Sequence, residues 1–177
     1  MMAVFQRLVG CVVVTLSALG CAAGSEGDTA GGAPDRASFP LVSDALERRC
    51  GTLDCHGERA RNLRLFTGSG LRLDPADVPG SGSTTEAEYD ASYQSVVGLE
   101  PELMNVVVAE HGRAPERLTL VRKARGLEDH QGGAMLKVGD PADRCMLSWL
   151  ASTPDEPACS LGAEFGPPLE WPDTGGP

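Results

Sequence analysis

The stretch that most limits what this chain can become is Cys50-Gly51-Thr52-Leu53-Asp54-Cys55-His56-Gly57. It gathers two of six cysteines and one of three histidines into seven residues. Two thiols and an imidazole so close together impose their chemistry on any fold that contains them. They cross-link to one another, bind a metal, or fasten a larger group, and the choice depends on the compartment the chain enters.

Residues 1–20 address that question. A single positive charge, Arg7, precedes the apolar run Leu8 to Leu19, which is short for a membrane span and has the shape of an export signal. The run ends Ser17-Ala18-Leu19-Gly20-Cys21, a pattern that resembles a bacterial lipobox, in which small residues precede a cysteine that receives diacylglycerol. Leu8-Val9-Gly10-Cys11 resembles a lipobox locally but has no apolar segment before it, so Cys21 is the better anchor. With Cys21 lipidated, Cys50, Cys55, Cys145 and Cys159 remain as an even set in an oxidising compartment. Ala22 after the anchor, in place of Asp, points to delivery to the outer membrane of the cell envelope if the source is a diderm bacterium.

Three chemistries suit Cys50, Cys55 and His56. The first is covalent haem, with two thioethers to the vinyl groups and the adjacent imidazole on the iron. The usual spacing is C-x-x-C-H, whereas here four residues separate the cysteines, and Gly51 is a residue able to absorb the extra bulge. The second is a local Cys50–Cys55 disulfide with His56 on the surface beside it. The third is zinc held by these residues and a distant histidine, although no second closely spaced Cys or His pair supplies further ligands.

The rest of the chain reads as one mostly helical, loop-rich domain over 39–161. It sits between a disordered tether at 21–38 and a Pro- and Gly-rich tail at 162–177. Phe39, Val42 and Leu46 share one helical face and lead into Cys50. Residues 62–74 alternate Leu63, Leu65, Leu71 and Leu73 around Gly68-Ser69-Gly70 and read as extended. Thr85 and Glu88 form a capping box for a helix to Gly98. Pro101 to Glu110 is too apolar for a surface helix. Pro115 to Arg125 is a short helical piece with Leu118 and Val121 inward and Arg117, Arg122, Lys123 and Arg125 solvated. That basic strip could steer a redox partner. Asp140-Pro141-Ala142-Asp143 opens a last helix carrying Cys145. Cys159 follows the breaker Pro154-Asp155-Glu156-Pro157, so Cys145–Cys159 is the preferred disulfide. His111, before Gly112, suits a helix end.

The formal charge of −10 argues against nucleic acid, which wants basic patches. The absence of G-x-S-x-G, H-E-x-x-H and P-loop motifs points to an electron carrier or binding module ahead of an enzyme.

Two blocks, Cys50 to Leu73 and Pro115 to Leu150, together resemble a bacterial cytochrome c-like domain with the longer attachment spacing. The residues that carry this are Cys50 to Gly57, Leu63-Arg64-Leu65-Phe66, Pro115 to Ala124, His130-Gln131-Gly132-Gly133 and Leu147-Ser148-Trp149-Leu150. The pattern departs at Gln131, where that family more often has glycine, and 83–111 matches nothing in it. The resemblance implies haem c on Cys50 and Cys55 with His56 on the iron, a membrane-tethered carrier of single electrons, and a redox partner protein. It points to His130 as the sixth ligand, with Met135, five residues on, as the alternative. The competing reading is a disulfide-stabilised envelope lipoprotein without haem. Cys21→Ser is expected to abolish lipidation and release the protein from membranes, measured by fractionation and mass spectrometry; persistent lipid modification would make Cys11 the anchor.

Overall fold

The computed structural model describes residues 32–164, and the readings of the leader, of Cys21 and of the tail beyond 164 lie outside them. The described chain is mostly helical: α1 (Phe39–Cys50), α2 (Glu86–Val97), α3 (Pro101–Ala109), a 3-10 turn at Pro115–Arg117, α4 (Thr119–Ala124), α5 (Pro141–Leu150) and α6 (Glu156–Glu164). Among the described residues there is no strand, only an isolated bridge between Phe66 and Leu71. No helix of the described residues is long and apolar enough to cross a membrane.

Helices α1, α5 and α6 pack mutually, and α2 adds to α1. Phe39, Val42 and Leu46 of α1 meet Met146, Trp149 and Leu150 of α5 in one buried cluster. Phe39, Tyr93 and Trp149 make mutual ring contacts with centroids 5.2–6.2 Å apart. Cys145 of α5 and Cys159 of α6 form a disulfide.

α6 was not expected. Asp155 accepts the Ala158 amide at 3.0 Å and so caps the helix, and Pro157 sits in its first turn, where its missing N–H costs nothing. The segment read as a breaker is a helix start. Gly162, assigned to the tail, is buried against Ala142, so the domain continues to 164. The tether also ends earlier than its assigned boundary at 38. Tyr93 donates to the Pro34 carbonyl and Trp149 Nε1 to the Asp35 carbonyl, both at 2.8 Å, so the chain is already docked at Pro34.

Residues 63–73 run without a strand, bending at 68–70, and alternate amides before the bend pair with side chains, which explains alternation without a sheet. The N–H groups of Arg64, Phe66 and Gly68 donate to Ser95 Oγ, Ser92 Oγ and Thr84 Oγ1 at 2.8–2.9 Å. Ser92 and Ser95 lie on one face of α2, with Glu88 one turn before Ser92. Glu88 is buried and accepts from Arg72 Nε at 2.7 Å, Arg72 Nη2 at 3.2 Å and the Leu73 amide at 3.1 Å. It also closes the capping box with Thr85.

Two further expectations are corrected. α3 is a surface helix that buries only Met104 and Val107 and leaves Val106 43% exposed, because its nine residues touch the rest on a single stripe. Three residues of the basic strip stay partly solvated as expected but are paired, Arg117 with Glu110 and Arg122 and Lys123 with Glu128, whereas Arg125 is nearly buried against Asp143.

Burial alone would raise the Glu88 carboxyl, but the hydrogen bonds from Arg72, Thr85 and Leu73 outweigh it and hold its pKa at about 2. A depressed folded value contributes stability that is complete above the unfolded carboxyl range and is lost as pH falls toward 2. Glu88→Gln is therefore expected to lower unfolding free energy by about 3 kcal/mol at pH 7, leaving buried Arg72 with only the half-exposed Asp77 at 3.5 Å. The difference between the two proteins in urea titrations should shrink between about pH 4.5 and 2.

Candidate functional site

α1 delivers Cys50 into the domain and stops there, because the chain turns sharply within the next seven residues. Cys55 N–H and Gly57 N–H both donate to the Thr52 carbonyl, at 2.9 and 3.0 Å, and His56 N–H donates to the Cys50 carbonyl at 2.9 Å. This knot brings His56 back beside the end of α1. Gly51 has φ −84 and ψ 4, which any residue adopts, so it does not supply the backbone freedom expected of it. Its requirement is space: a Cβ there would lie 2.8 Å from the Glu47 Cα. A Cβ on Gly57 would lie 2.3 Å from the Gly51 carbonyl oxygen.

The extended segment then fixes the His56 ring. Leu65 N–H donates to the His56 carbonyl at 2.8 Å, and His56 Nδ1 lies 3.1 Å from the Leu63 carbonyl. An imidazole that donates from Nδ1 to a carbonyl keeps its lone pair on Nε2, the tautomer a metal ligand needs. Burial lowers the His56 pKa, the Leu63 hydrogen bond opposes this, and nearby His130 lowers it further.

His130 arrives from the other half of the chain, on a turn closed by Gly133 N–H to its own carbonyl at 2.8 Å. Its Nδ1 lies 3.1 Å from the Gly133 carbonyl, the same arrangement as at His56. The two rings face each other with centroids 5.8 Å apart and planes within 10°.

Both rings line a cavity of about 640 Å³, a size suited to a cofactor. One wall is apolar, from Leu46, Leu63, Leu65, Leu120 and Ala124, and Cys50 and Cys55 lie along the same hollow. Both are free thiols, Cys50 buried and Cys55 partly so. Burial, then the neighbouring Cys55, pushes the Cys50 thiol up to about 12, so it stays protonated near neutral pH. Among the described residues no three His, Cys, Asp or Glu side chains converge where one ion could sit, which removes the support for a zinc centre. The set that faces the cavity is two opposed imidazoles with two thiols at its edge.

Met135 is half-buried and packs on the core without lining the cavity. Its N–H and that of Leu136 both donate to the Ala124 carbonyl at 2.8 Å, which turns this segment away from His56. His111 is exposed at the end of α3, with φ 54. Arg61, Asn62, Lys123 and the acids Asp54 and Asp129, to which the sequence reading gave no role at this site, also lie on the polar part of the cavity wall. Only their proximity to the C-x4-C-H motif and to His130 could have flagged them.

Comparison with models of protein families, with curated proteins and with solved structures finds no match. Gly57→Ala is expected to cost about 1–3 kcal/mol, because the Gly51 and Thr52 carbonyls must move to admit a methyl group. Chemical denaturation measures that loss, and the His56 ring resonances in an NMR spectrum should shift with it.

Proposed function

We propose that this chain is a cytochrome c-like protein that carries single electrons at the cell envelope, tethered through Cys21, with haem c on Cys50 and Cys55. The observation that carries this reading is the His56–His130 pair. Two histidines from distant parts of the sequence stand parallel across one cavity, each with Nδ1 committed to a carbonyl. A pair of core-packing or loop-stabilising histidines has no need of that match.

The haem would supply the reversible one-electron couple. The residues of the chain do the rest. His56 and His130 would be the residues that hold the iron through Nε2, and the Leu63 and Gly133 carbonyls fix their rings. Leu46, Leu63, Leu65, Leu120 and Ala124 keep water from one side of the cavity, which favours the less charged oxidation state. Cys50 and Cys55 line the same hollow as both imidazoles, which supports thioether attachment there.

Expression of the full chain with a cytochrome c maturation system provides the test. Mass spectrometry should find a haem adduct on the peptide containing Cys50 and Cys55, and the spectrum should be that of a low-spin bis-imidazole haem. His130→Ala should convert it to high spin while the covalent adduct survives, and Met135→Leu should leave it unchanged. A Cys50–Cys55 cross-link without an adduct would overturn the proposal in favour of a disulfide-stabilised binding module. A near-infrared methionine band that vanishes in Met135→Leu would overturn the His130 assignment alone.

A further inference from the structure

The Arg49 side chain is fully removed from solvent. Its Nη1 donates to the Asp140 carboxylate and to the Met135 carbonyl, each at 3.4 Å. Nε and Nη2 find no acceptor among the described residues. Those two nitrogens share the edge of the guanidinium on which two N–H groups lie parallel, the edge that grips a carboxylate through both of its oxygens. Arg72 uses that edge on Glu88, at 2.7 and 3.2 Å, and Arg125 uses it on Asp143, at 2.7 and 2.9 Å. Arg49 is the most deeply buried of these three, yet its edge meets no carboxylate of the described residues.

Asp140 is not free to swing round and serve it. Its Oδ1 accepts the Asp143 amide and its Oδ2 the Lys137 amide, each at 2.9 Å, and the first of these caps α5. A charged donor left dry costs more than a neutral one, so the folded chain needs an acceptor at this edge. Charge decides its kind. Arg49 and Asp140 together are neutral, and a second anion would put a net charge into a desolvated site, where burial is not offset by attraction. Reach decides its size. Leu46 and Cys50 line the cavity whereas Arg49, on the adjoining face of α1, does not, so a solute in the cavity does not meet the guanidinium. The neutral acceptor that can be enclosed there, and that takes two parallel N–H bonds on one oxygen, is water.

We infer that Arg49 holds an ordered water on its Nε–Nη2 edge, enclosed where the last turn of α1 meets residues 135–140. The water completes the hydrogen bonding of the guanidinium without adding charge, and it thereby belongs to the closure that joins α1 to the chain leading from His130. The site stands on the geometry of Arg49 and does not depend on the function proposed above.

Cross-relaxation between water and the arginine Nε–H protons of the full mature chain, labelled with 15N, tests this. Arg49 Nε–H should exchange with solvent roughly a hundredfold more slowly than Nε–H of exposed Arg48. It should nevertheless show a cross-peak to water in a rotating-frame experiment, where direct contact and proton exchange have opposite signs, with the sign of direct contact. Arg72 Nε–H, donated to Glu88, should be protected and show no such cross-peak. Protection at Arg49 without the cross-peak would overturn the inference by showing a dry site, and exchange as fast as at Arg48 would overturn it by showing an open one. A cross-peak of equal strength at Arg72 would overturn it as well, since the signal would then not depend on an edge without a carboxylate. Replacing chloride by formate at constant ionic strength should leave the Arg49 cross-peak unchanged. Its loss in formate would make the edge a carboxylate site, and its loss on attachment of haem would assign the edge to a carboxylate of the cofactor; either result would overturn the water.

Discussion

The arrangement depends on one buried ion pair, Arg49 with Asp140, 3.4 Å apart with both side chains removed from solvent. Arg49 directly precedes Cys50, and Asp140 is the cap of α5, accepting the Asp143 amide at 2.9 Å. Asp140 also accepts the Lys137 amide, while Arg49 Nη1 reaches the Met135 carbonyl at 3.4 Å. The end of the helix that presents the cysteines is thereby bound to the loop that leads from His130. Arg49 Nε and Nη2 find no protein partner, and desolvating two charges is costly. What the pair supplies is register: it fixes which residues of two distant segments face each other. Arg125, bidentate to Asp143 at 2.7 and 2.9 Å, ties the start of α5 to the end of α4.

α2 acts as the scaffold of the opposite wall. A helix with Glu88, Ser92 and Ser95 along one face satisfies the N–H groups of an extended chain that has no neighbouring strand. The backbone accounting closes through side chains, and the segment stays straight enough to present Leu63 and Leu65 to the cavity. The same segment orients His56 through the Leu63 carbonyl. Loss of Glu88 would therefore be felt at the site, although the carboxylate does not line it.

Helices with local start signals were legible in the sequence. The capping box at Thr85 and Glu88 and the Asp140-Pro141 start are short-range hydrogen-bond patterns, and both form as read. The same signature at Asp155, Glu156 and Pro157 was masked by Pro154, because two prolines so close together also mark a break. Residues 63–73 misled in a different way: alternation specifies extended backbone but not its partner, and here the partner is a helix. The opposition of His130 to His56, and the orientation of Met135 toward the core, are set by Arg49, Asp140 and the Ala124 carbonyl. Those contacts span large sequence separations that no periodicity encodes. The pairing of Arg117, Arg122, Lys123 and Arg125 with acids likewise needs the fold.

The two halves of the cavity differ in how far the chain must close to build them. The Cys50–His56 knot is made from hydrogen bonds between residues at most six apart, and such short loops close on a submicrosecond scale. His130 joins only when the Arg49–Asp140 closure brings together residues of opposite ends of the domain, at a larger entropic cost. During folding, then, the thiols and the first imidazole assemble while the facing side is still open. A bulky planar group could be received edge-on at that stage, and the second histidine would close over it as the last large step.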